Sequence, residues 1–250
     1  STRVRSSAAS DVYKRQILDE KIAVMDTIDT RKTDEWKENL ERVLDGRTPD
    51  YLIVSHLEPD HAGSIKEFAD KYPEAKIVAS AKAIAMLPQF FEIADLADRA
   101  VAVKEGEELS LGSHTLQFFM APMVHWPEVM VEYEKSEKIL FSADGFGKFG
   151  ALDADEDWAC EARRYYFNIV GKYGAQVQAL LKKAAGLDIA AICPLHGPIW
   201  RENLSYILEK YQKWSTYEAE DQAVVIMYAS MYGNTASAAD ALAGALAVRG

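Results

Sequence analysis

Short β-rich runs alternate with amphipathic stretches from Lys21 onward, and this alternation limits the possible folds more than any other feature of the chain. The runs with strand composition are KIAVMD, YLIVS, KIVAS, TLQFFMA, VMVEYE, KILFSA and IAAIC. Amphipathic helices are predicted between them at 34–44, 64–72, 81–91, 158–185 and 202–217. The segments 109–121 and 129–143 contain short charged turns such as EKSEK, which predicts antiparallel pairing. We therefore expect an α/β domain in which a mixed sheet sandwich is flanked by helices.

Three segments differ in character along the chain. Residues 1–16 are basic, Ser-rich and unpatterned, which indicates a leader or, more plausibly, a non-native scar. Residues 17–217 are predicted to form the main domain, with some N-terminal strands missing. After the polar stretch STYEAEDQ, residues 222–250 read as a strand, a Gly-containing loop and an Ala-rich helix. This order is typical of the first βα unit of a doubly wound domain, so we expect a truncated second domain.

Charge and cysteine content exclude several classes of protein. The formal net charge is −11 and the pI is about 5.0, which disfavours binding to nucleic acid or to an anionic membrane surface. No apolar run approaches the roughly 20 residues that span a bilayer. Cys160 and Cys193 lie far apart and form no CxxC motif, which fits a reducing compartment. A cytoplasmic location is therefore expected.

The predicted strand YLIVS runs directly into the sequence HLEPDH, which supplies four potential metal ligands. If the loop stays extended, alternate residues His56, Glu58 and Asp60 project to the same side. His61 can turn back as the next helix begins. Imidazole and carboxylate groups are the donors of catalytic zinc, iron or manganese sites, and a site without thiolates keeps positions open for substrate.

Other residues of the same chemical types also follow predicted strands. A single histidine is more often packed or hydrogen-bonded than metal-bound, but this chain has only five, and His125 and His196 both occur at strand ends. Asp144 follows the strand KILFSA in the same way. This repetition favours a shared metal site. His114, in the turn LGSHTL, fits no such pattern and is predicted to be a solvated turn residue.

The ligand motifs resemble those of the flavodiiron proteins, also called A-type flavoproteins. The matching segments are HLEPDH, HWPE, LFSADGFG and PLHGPIWR, although HWPEVM departs from the usual HWPDS-like run and DGFG from the commoner DAFG. The resemblance implies a metallo-β-lactamase-like αββα sandwich followed by a flavodoxin-like domain. It also implies a diiron centre, with one iron held by His56, Glu58 and His125, the other by Asp60, His61 and His196, and Asp144 bridging both.

A second candidate site is the loop ASMYGNT in the last segment of the chain. Its Ser, Asn and Thr side chains, together with backbone N–H groups at a helix start, suit a phosphate. Alone, the loop is equally well explained as an ordinary strand-to-helix connection. The resemblance implies that it contacts the phosphate of FMN through Ser230, Met231, Tyr232, Gly233, Asn234 and Thr235.

The family resemblance implies reduction of O2 to water, of NO to N2O, or of both, with electrons passed through FMN. It further implies a head-to-tail homodimer and a rubredoxin or flavin reductase as electron donor. The alternative is a binuclear hydrolase of the metallo-β-lactamase or glyoxalase II type, and a third hypothesis is a metal-free binding module. Hydrolases of this superfamily carry a histidine where this chain has Glu58, and an anionic oxygen ligand favours iron or manganese over zinc.

Overall fold

The computed structural model describes residues 15–151 and 157–249. The contacts within the chain divide it into two units, with the division between Glu218 and Ala219. The first unit contains two five-stranded sheets. In the parts of the chain described, no helix combines the length and apolar character that a bilayer span requires.

The first sheet is mostly parallel. Its strands, in spatial order, are β1 (Arg15–Leu18), β2 (Ile22–Met25), β3 (Tyr51–Val54), β4 (Lys76–Ser80) and β5 (Ala100–Val103). Only β1 and β2 are antiparallel to one another. The helices between these strands are α1 (Thr33–Leu44), α2 (Pro59–Ala62), α3 (Ile65–Lys71), α4 (Ala81–Met86) and α5 (Leu96–Arg99).

The second sheet is mostly antiparallel. Its strands are β6 (Glu108–Ser110), β7 (Thr115–Met120), β8 (Met130–Glu134), β9 (Ile139–Phe141) and β10 (Ala191–Cys193), in the spatial order β10-β9-β8-β7-β6. Only β9 and β10 run parallel. Helices α6 (Trp158–Ile169) and α7 (Gly174–Ala184) lie between β9 and β10, and α8 (Leu204–Ser215) follows β10.

Three apolar clusters hold these layers together. One lies between the sheets and includes Ile17, Val78 and Phe118. A second packs the first sheet against its helices, where Trp36 and Leu40 of α1 are buried. The third packs the second sheet against α6, α7 and α8. The predicted αββα sandwich with mixed sheets is confirmed.

The helix predicted at 158–185 is broken in the structure. Helix α6 ends at Ile169, a single 3-10 turn follows at Gly171–Tyr173, and α7 begins at Gly174. A Cβ at Gly174 would overlap the carbonyl oxygen of Ser215, so only glycine permits this close approach of α7 to the end of α8. The predicted helix at 81–91 is also shorter, because Pro88 falls in a 3-10 turn at Leu87–Gln89.

The strand predictions differ from the structure at three places. Strand β1 begins two residues before the predicted start of the domain at 17, and residues 1–14 lie outside the described chain. Strand β5 was not predicted, because AVAV is short and lies at the sheet edge. In the second unit, α9 (Asn234–Ala247) forms, but residues 223–228 are not a strand. Within 219–249 the structure shows no other strand with which they could pair.

His114 is not the solvated turn residue that its sequence context predicts. It is only 7% exposed, and its Nδ1 lies 2.8 Å from Oδ2 of Asp19. The same carboxylate accepts a hydrogen bond from the backbone N–H of His114 at 2.7 Å. The contact therefore joins the β1–β2 turn to the β6–β7 turn.

We expect Asp19→Asn to destabilise the protein at neutral pH. Burial alone would raise the pKa of Asp19, but the hydrogen bonds from His114 hold it well below its ordinary value. A depressed carboxyl pKa stabilises the fold above the unfolded-state value, and this stabilisation is lost as the pH falls. Urea unfolding at pH 7 is expected to show a loss of about 1–3 kcal/mol that shrinks below about pH 4. A loss that stays constant with pH would contradict this prediction.

Glu132 of β8 is a fully buried carboxyl group between the sheets. The hydroxyl of Ser55 donates a hydrogen bond to its Oε2 at 3.1 Å, while Oε1 has no hydrogen-bond partner among the described residues. Burial, together with the charge of Asp26, raises the pKa of Glu132 well above its ordinary value. The folded protein therefore keeps this group protonated at pH values where the unfolded chain ionises it.

We expect Glu132→Gln to stabilise the protein increasingly as the pH rises. The wild-type side chain contributes its full stability only below the unfolded-state pKa of about 4.3 and loses it as the pH rises toward the folded-state pKa. Glutamine has a similar shape and no ionised form. Between the two pKa values the wild type loses about 1.4 kcal/mol of stability per pH unit, and the glutamine variant avoids this loss. Unfolding curves from about pH 4 to pH 8 test this, and a gain that does not grow with pH would contradict it.

Candidate metal centre

The first group of candidate ligands lies where β3 ends. His56 and Glu58 follow the strand directly, and α2 then begins at Pro59 and carries Asp60 and His61. The loop is therefore not extended through Asp60. The prediction that His56, Glu58 and Asp60 project to the same side is wrong for Asp60. Because the helix begins after Glu58, Glu58 and Asp60 point toward different parts of the site.

The second group comes from the other sheet. His125 lies in the loop between β7 and β8, Asp144 follows β9, and His196 follows β10. Ala143, directly before Asp144, has a φ of 48°, so the backbone turns sharply where the aspartate begins. The structure thus brings all seven predicted side chains to one end of the sandwich, in two sets.

The first set consists of His56, Glu58, His125 and Asp144. The Nε2 atoms of His56 and His125 lie 3.1 Å apart, and Oε2 of Glu58 is 3.4 and 3.1 Å from them. Oδ2 of Asp144 lies 3.1 Å from Nε2 of His125. The donor atoms of the four side chains therefore surround one point.

The second set consists of Asp60, His61 and His196. The Nε2 atoms of the two histidines lie 3.2 Å apart, and each is 3.3 Å from Oδ2 of Asp60. Oδ1 of Asp144 lies 3.0 Å from Nε2 of His61 and 3.5 Å from that of His196. One oxygen of Asp144 therefore faces each set.

Electrostatics in this cluster favour bound positive charge. Burial alone would lower the pKa of His56, but Glu128, Glu58 and Asp144 raise it to about 10. The hydrogen bonds from His125 and His56 lower the pKa of Glu58 to about 2. Burial would raise the pKa of Asp144, yet the neighbouring histidines hold it well below its ordinary value. Without a metal ion, protons are the cations that this site retains.

Two aromatic side chains beside the histidines complete the surroundings. The ring of Trp126 lies edge-on to His56 at 5.3 Å between centroids. Tyr165 of α6 was not identified from the sequence; its ring lies 5.6 Å from that of His196. Its hydroxyl is buried with no hydrogen-bond partner in the described chain, and burial raises its pKa well above the ordinary value. A protonated phenol is therefore available next to the second set.

The predicted phosphate loop lies at the start of α9, in the second unit. Gly233 has a φ of 86° and precedes the helix, and its backbone N–H donates to the hydroxyl of Ser230 at 3.0 Å. Asn234 and Thr235 form the first helical residues, and Met231 and Tyr232 are exposed. Among the described residues, no side chain accepts a hydrogen bond from the first N–H groups of this helix.

Comparison with known proteins identifies the family. Residues 15–197 match the family described as "ODP family beta lactamase". The chain is 31% identical over 253 residues to the "Anaerobic nitric oxide reductase flavorubredoxin" of Klebsiella pneumoniae, a match that covers 97% of this chain and 52% of that protein. The chain spans about half the length of the curated relatives it matches.

Solved structures agree with the sequence match. The flavodiiron protein of Giardia intestinalis superposes with a TM-score of 0.84 and 29% identity, covering 92% of this chain and 58% of that one. The rubredoxin oxygen:oxidoreductase of Desulfovibrio gigas superposes with a TM-score of 0.74 and 31% identity, covering 82% and 53%. The chain belongs to the family described as "ODP family beta lactamase", and its two-sheet unit is the metallo-β-lactamase-like core found in flavodiiron proteins.

Proposed function

We propose that the seven converging side chains hold two metal ions. His56, Glu58 and His125 would bind one ion, and Asp60, His61 and His196 the other. Asp144 would bridge the two ions. The observation that carries this proposal is the position of Asp144, whose Oδ2 faces one set of ligands while its Oδ1 faces the other.

The spacing of the donor atoms fits bound metal. Ligands held about 2.1 Å from one ion are roughly 3.0–3.4 Å apart. The paired histidine nitrogens lie 3.1 Å apart in the first set and 3.2 Å apart in the second, close to that spacing. Oδ1 of Asp60 is buried without a hydrogen-bond donor among the described residues, which a cation would compensate.

Iron is the metal that we propose. The site offers imidazoles and hard carboxylate oxygens, and no cysteine belongs to either set. Glu58 adds an anionic oxygen ligand where a zinc hydrolase of this superfamily would use a histidine, so the donor set suits iron or manganese. The names of the relatives, a nitric oxide reductase and an oxygen oxidoreductase, agree with a redox metal.

We propose that the whole protein reduces O2 to water, NO to N2O, or both. Two ferrous ions and a reduced flavin supply four electrons, which is the number that reduction of O2 to water requires. Residues of this chain shape the site for such a small substrate. The imidazoles of His56 and His61 are fully buried, whereas the side chains of Glu58 and Asp60 are 35% and 31% exposed and mark the open side. The ring of Trp126 packs edge-on against His56.

The remaining parts of the proposal concern the whole protein. The loop from Ser230 to Thr235 would contact the phosphate of FMN, and a rubredoxin or flavin reductase would supply electrons. A head-to-tail homodimer would bring the flavin of one subunit to the metals of the other. We propose a cytoplasmic location, because Cys160 and Cys193 lie far apart in the sequence and both are free thiols, which fits a reducing compartment.

Metal analysis of anaerobically purified protein tests this function. We expect two iron atoms per chain and consumption of O2 or NO by the dithionite-reduced protein. Two zinc atoms together with thioester or lactam hydrolysis would refute the redox assignment. A purified protein that holds no metal and takes up none from ferrous salt would refute the metal centre.

A further inference from the structure

Glu128 is a buried carboxylate that touches the candidate metal centre without belonging to either ligand set. Its Oε1 lies 2.9 Å from Nδ1 of His56. The same oxygen accepts a hydrogen bond from the backbone N–H of Leu57 at 3.0 Å. Glu128 therefore contacts the nitrogen of His56 that faces away from the other ligands.

The position of Glu128 is fixed by a further contact. Its backbone carbonyl accepts a hydrogen bond from the hydroxyl of Ser80 at 2.7 Å. Ser80 ends β4, and its hydroxyl also accepts from the N–H of Ala83 and so caps α4. Glu128, in the loop between β7 and β8 of the second sheet, is thus hydrogen-bonded to the end of β4 in the first sheet, directly beside His56.

An imidazole that donates its Nδ1 proton has its Nε2 lone pair free for a metal. In His56 that Nε2 points at the first set, 3.1 Å from Nε2 of His125. Carboxylates that accept the second N–H of a ligating histidine fix its tautomer and ring plane and raise its basicity. The geometry of Glu128 matches this role.

We propose that Glu128 is a positioning residue that sets the affinity of the metal ion bound by His56, Glu58 and His125. This inference rests on the proposed metal centre. Because Glu128 contacts a ligand of the first set, its loss should weaken the binding of the ion held by that set. Binding of the ion in the second set should stay unchanged. A residue with a purely structural role would not discriminate between the two ions.

Glu134 offers a matched control on the same segment of chain. It is also a fully buried glutamate, but its carboxylate accepts hydrogen bonds from the backbone N–H groups of Thr115, Ser136 and Glu137. These contacts hold the turn after β8 and involve no candidate ligand. Glu134→Gln should therefore cost stability and leave metal binding unchanged.

The test is an anaerobic titration of the metal-free protein with Fe2+ and, separately, with Co2+, whose visible absorption reports each binding step. For Glu128→Gln and Glu128→Ala we expect one of two ions to bind about 10–100-fold more weakly. The amide oxygen of glutamine can still accept from Nδ1, so Glu128→Gln should retain more affinity than Glu128→Ala. Thermal unfolding of the metal-free variants shows whether each one folds.

The possible outcomes separate the inference from the metal centre on which it rests. Glu128 variants that bind both ions with wild-type affinity, or that bind both ions equally more weakly, would refute the role of Glu128. The proposed metal centre would stand. Wild-type protein that binds fewer than two ions would refute the metal centre and this inference with it. Weaker binding of one ion by both Glu128 variants, with both ions bound at wild-type affinity by Glu134→Gln, would establish the role.

Discussion

Replacing Asp144 with asparagine should abolish binding of two metal ions to one chain. The two oxygens of Asp144 face separate ligand sets, at 3.1 Å from His125 and 3.0 Å from His61. Asparagine keeps the shape but removes the negative charge and turns one of these oxygens into an NH2 group, which cannot bind a cation. Since loss of an outer-shell partner already costs about 10–100-fold, we expect loss of this bridge to cost more than about 100-fold in affinity.

Isothermal titration of the metal-free Asp144→Asn variant with Fe2+ measures this effect. Asp70→Asn is the matched control, because Asp70 lies exposed on α3 and, within the described part of the chain, pairs only with Lys66 at the helix surface. That control should bind two ions with unchanged affinity. Retention of both ions in Asp144→Asn would show that this residue is not a bridge.

Gly63→Ala should destabilise the protein and displace part of the metal centre. A Cβ at Gly63 would lie 2.7 Å from the carbonyl oxygen of Pro59 and 2.9 Å from both Ile28 O and Thr30 N. All three atoms belong to the backbone and cannot move aside cheaply. Since Gly63 caps the C-terminal end of α2, the helix that carries Asp60 and His61, relief of the overlap must shift those side chains. We expect a loss of about 1–3 kcal/mol or more, together with weaker binding of the second ion.

Urea unfolding and Fe2+ titration of Gly63→Ala test both effects. Gly186→Ala is the control, because the nearest atom to its added Cβ, the carbonyl oxygen of Lys183, is 3.5 Å away. Both changes restrict the unfolded chain equally, so the difference between them isolates the steric overlap. A Gly63→Ala variant as stable as Gly186→Ala would contradict the close packing of α2.

The layered fold and the meeting of the ligands follow from local patterns in the sequence. His56, Asp144 and His196 each come one to three residues after an apolar run, and such runs become buried strands whose carboxyl ends lie at one edge. The division of the ligands into two sets was assigned from family resemblance. Its structural cause is that α2 begins at Pro59, which turns Asp60 away from Glu58.

No local sequence pattern predicted the contacts between distant parts of the chain. His114 meets Asp19 across 95 positions, and His56 meets Glu128 across 72. The sequence around Asp19 and around Glu128 has no pattern that distinguishes either residue from an ordinary surface acid. The break before α7 likewise depends on the approach of Gly174 to Ser215. Residues whose role depends on a single long-range neighbour are the ones that sequence reasoning missed.

The two ligand sets each draw side chains from both halves of the sandwich. Glu58 with His56, and Asp60 with His61, come from the first sheet, while His125, Asp144 and His196 come from the second. Neither half alone can therefore complete a coordination shell. Iron uptake would have to wait until the halves have assembled. Bound ions would join one sheet to the other, and their removal would destabilise the two-sheet unit.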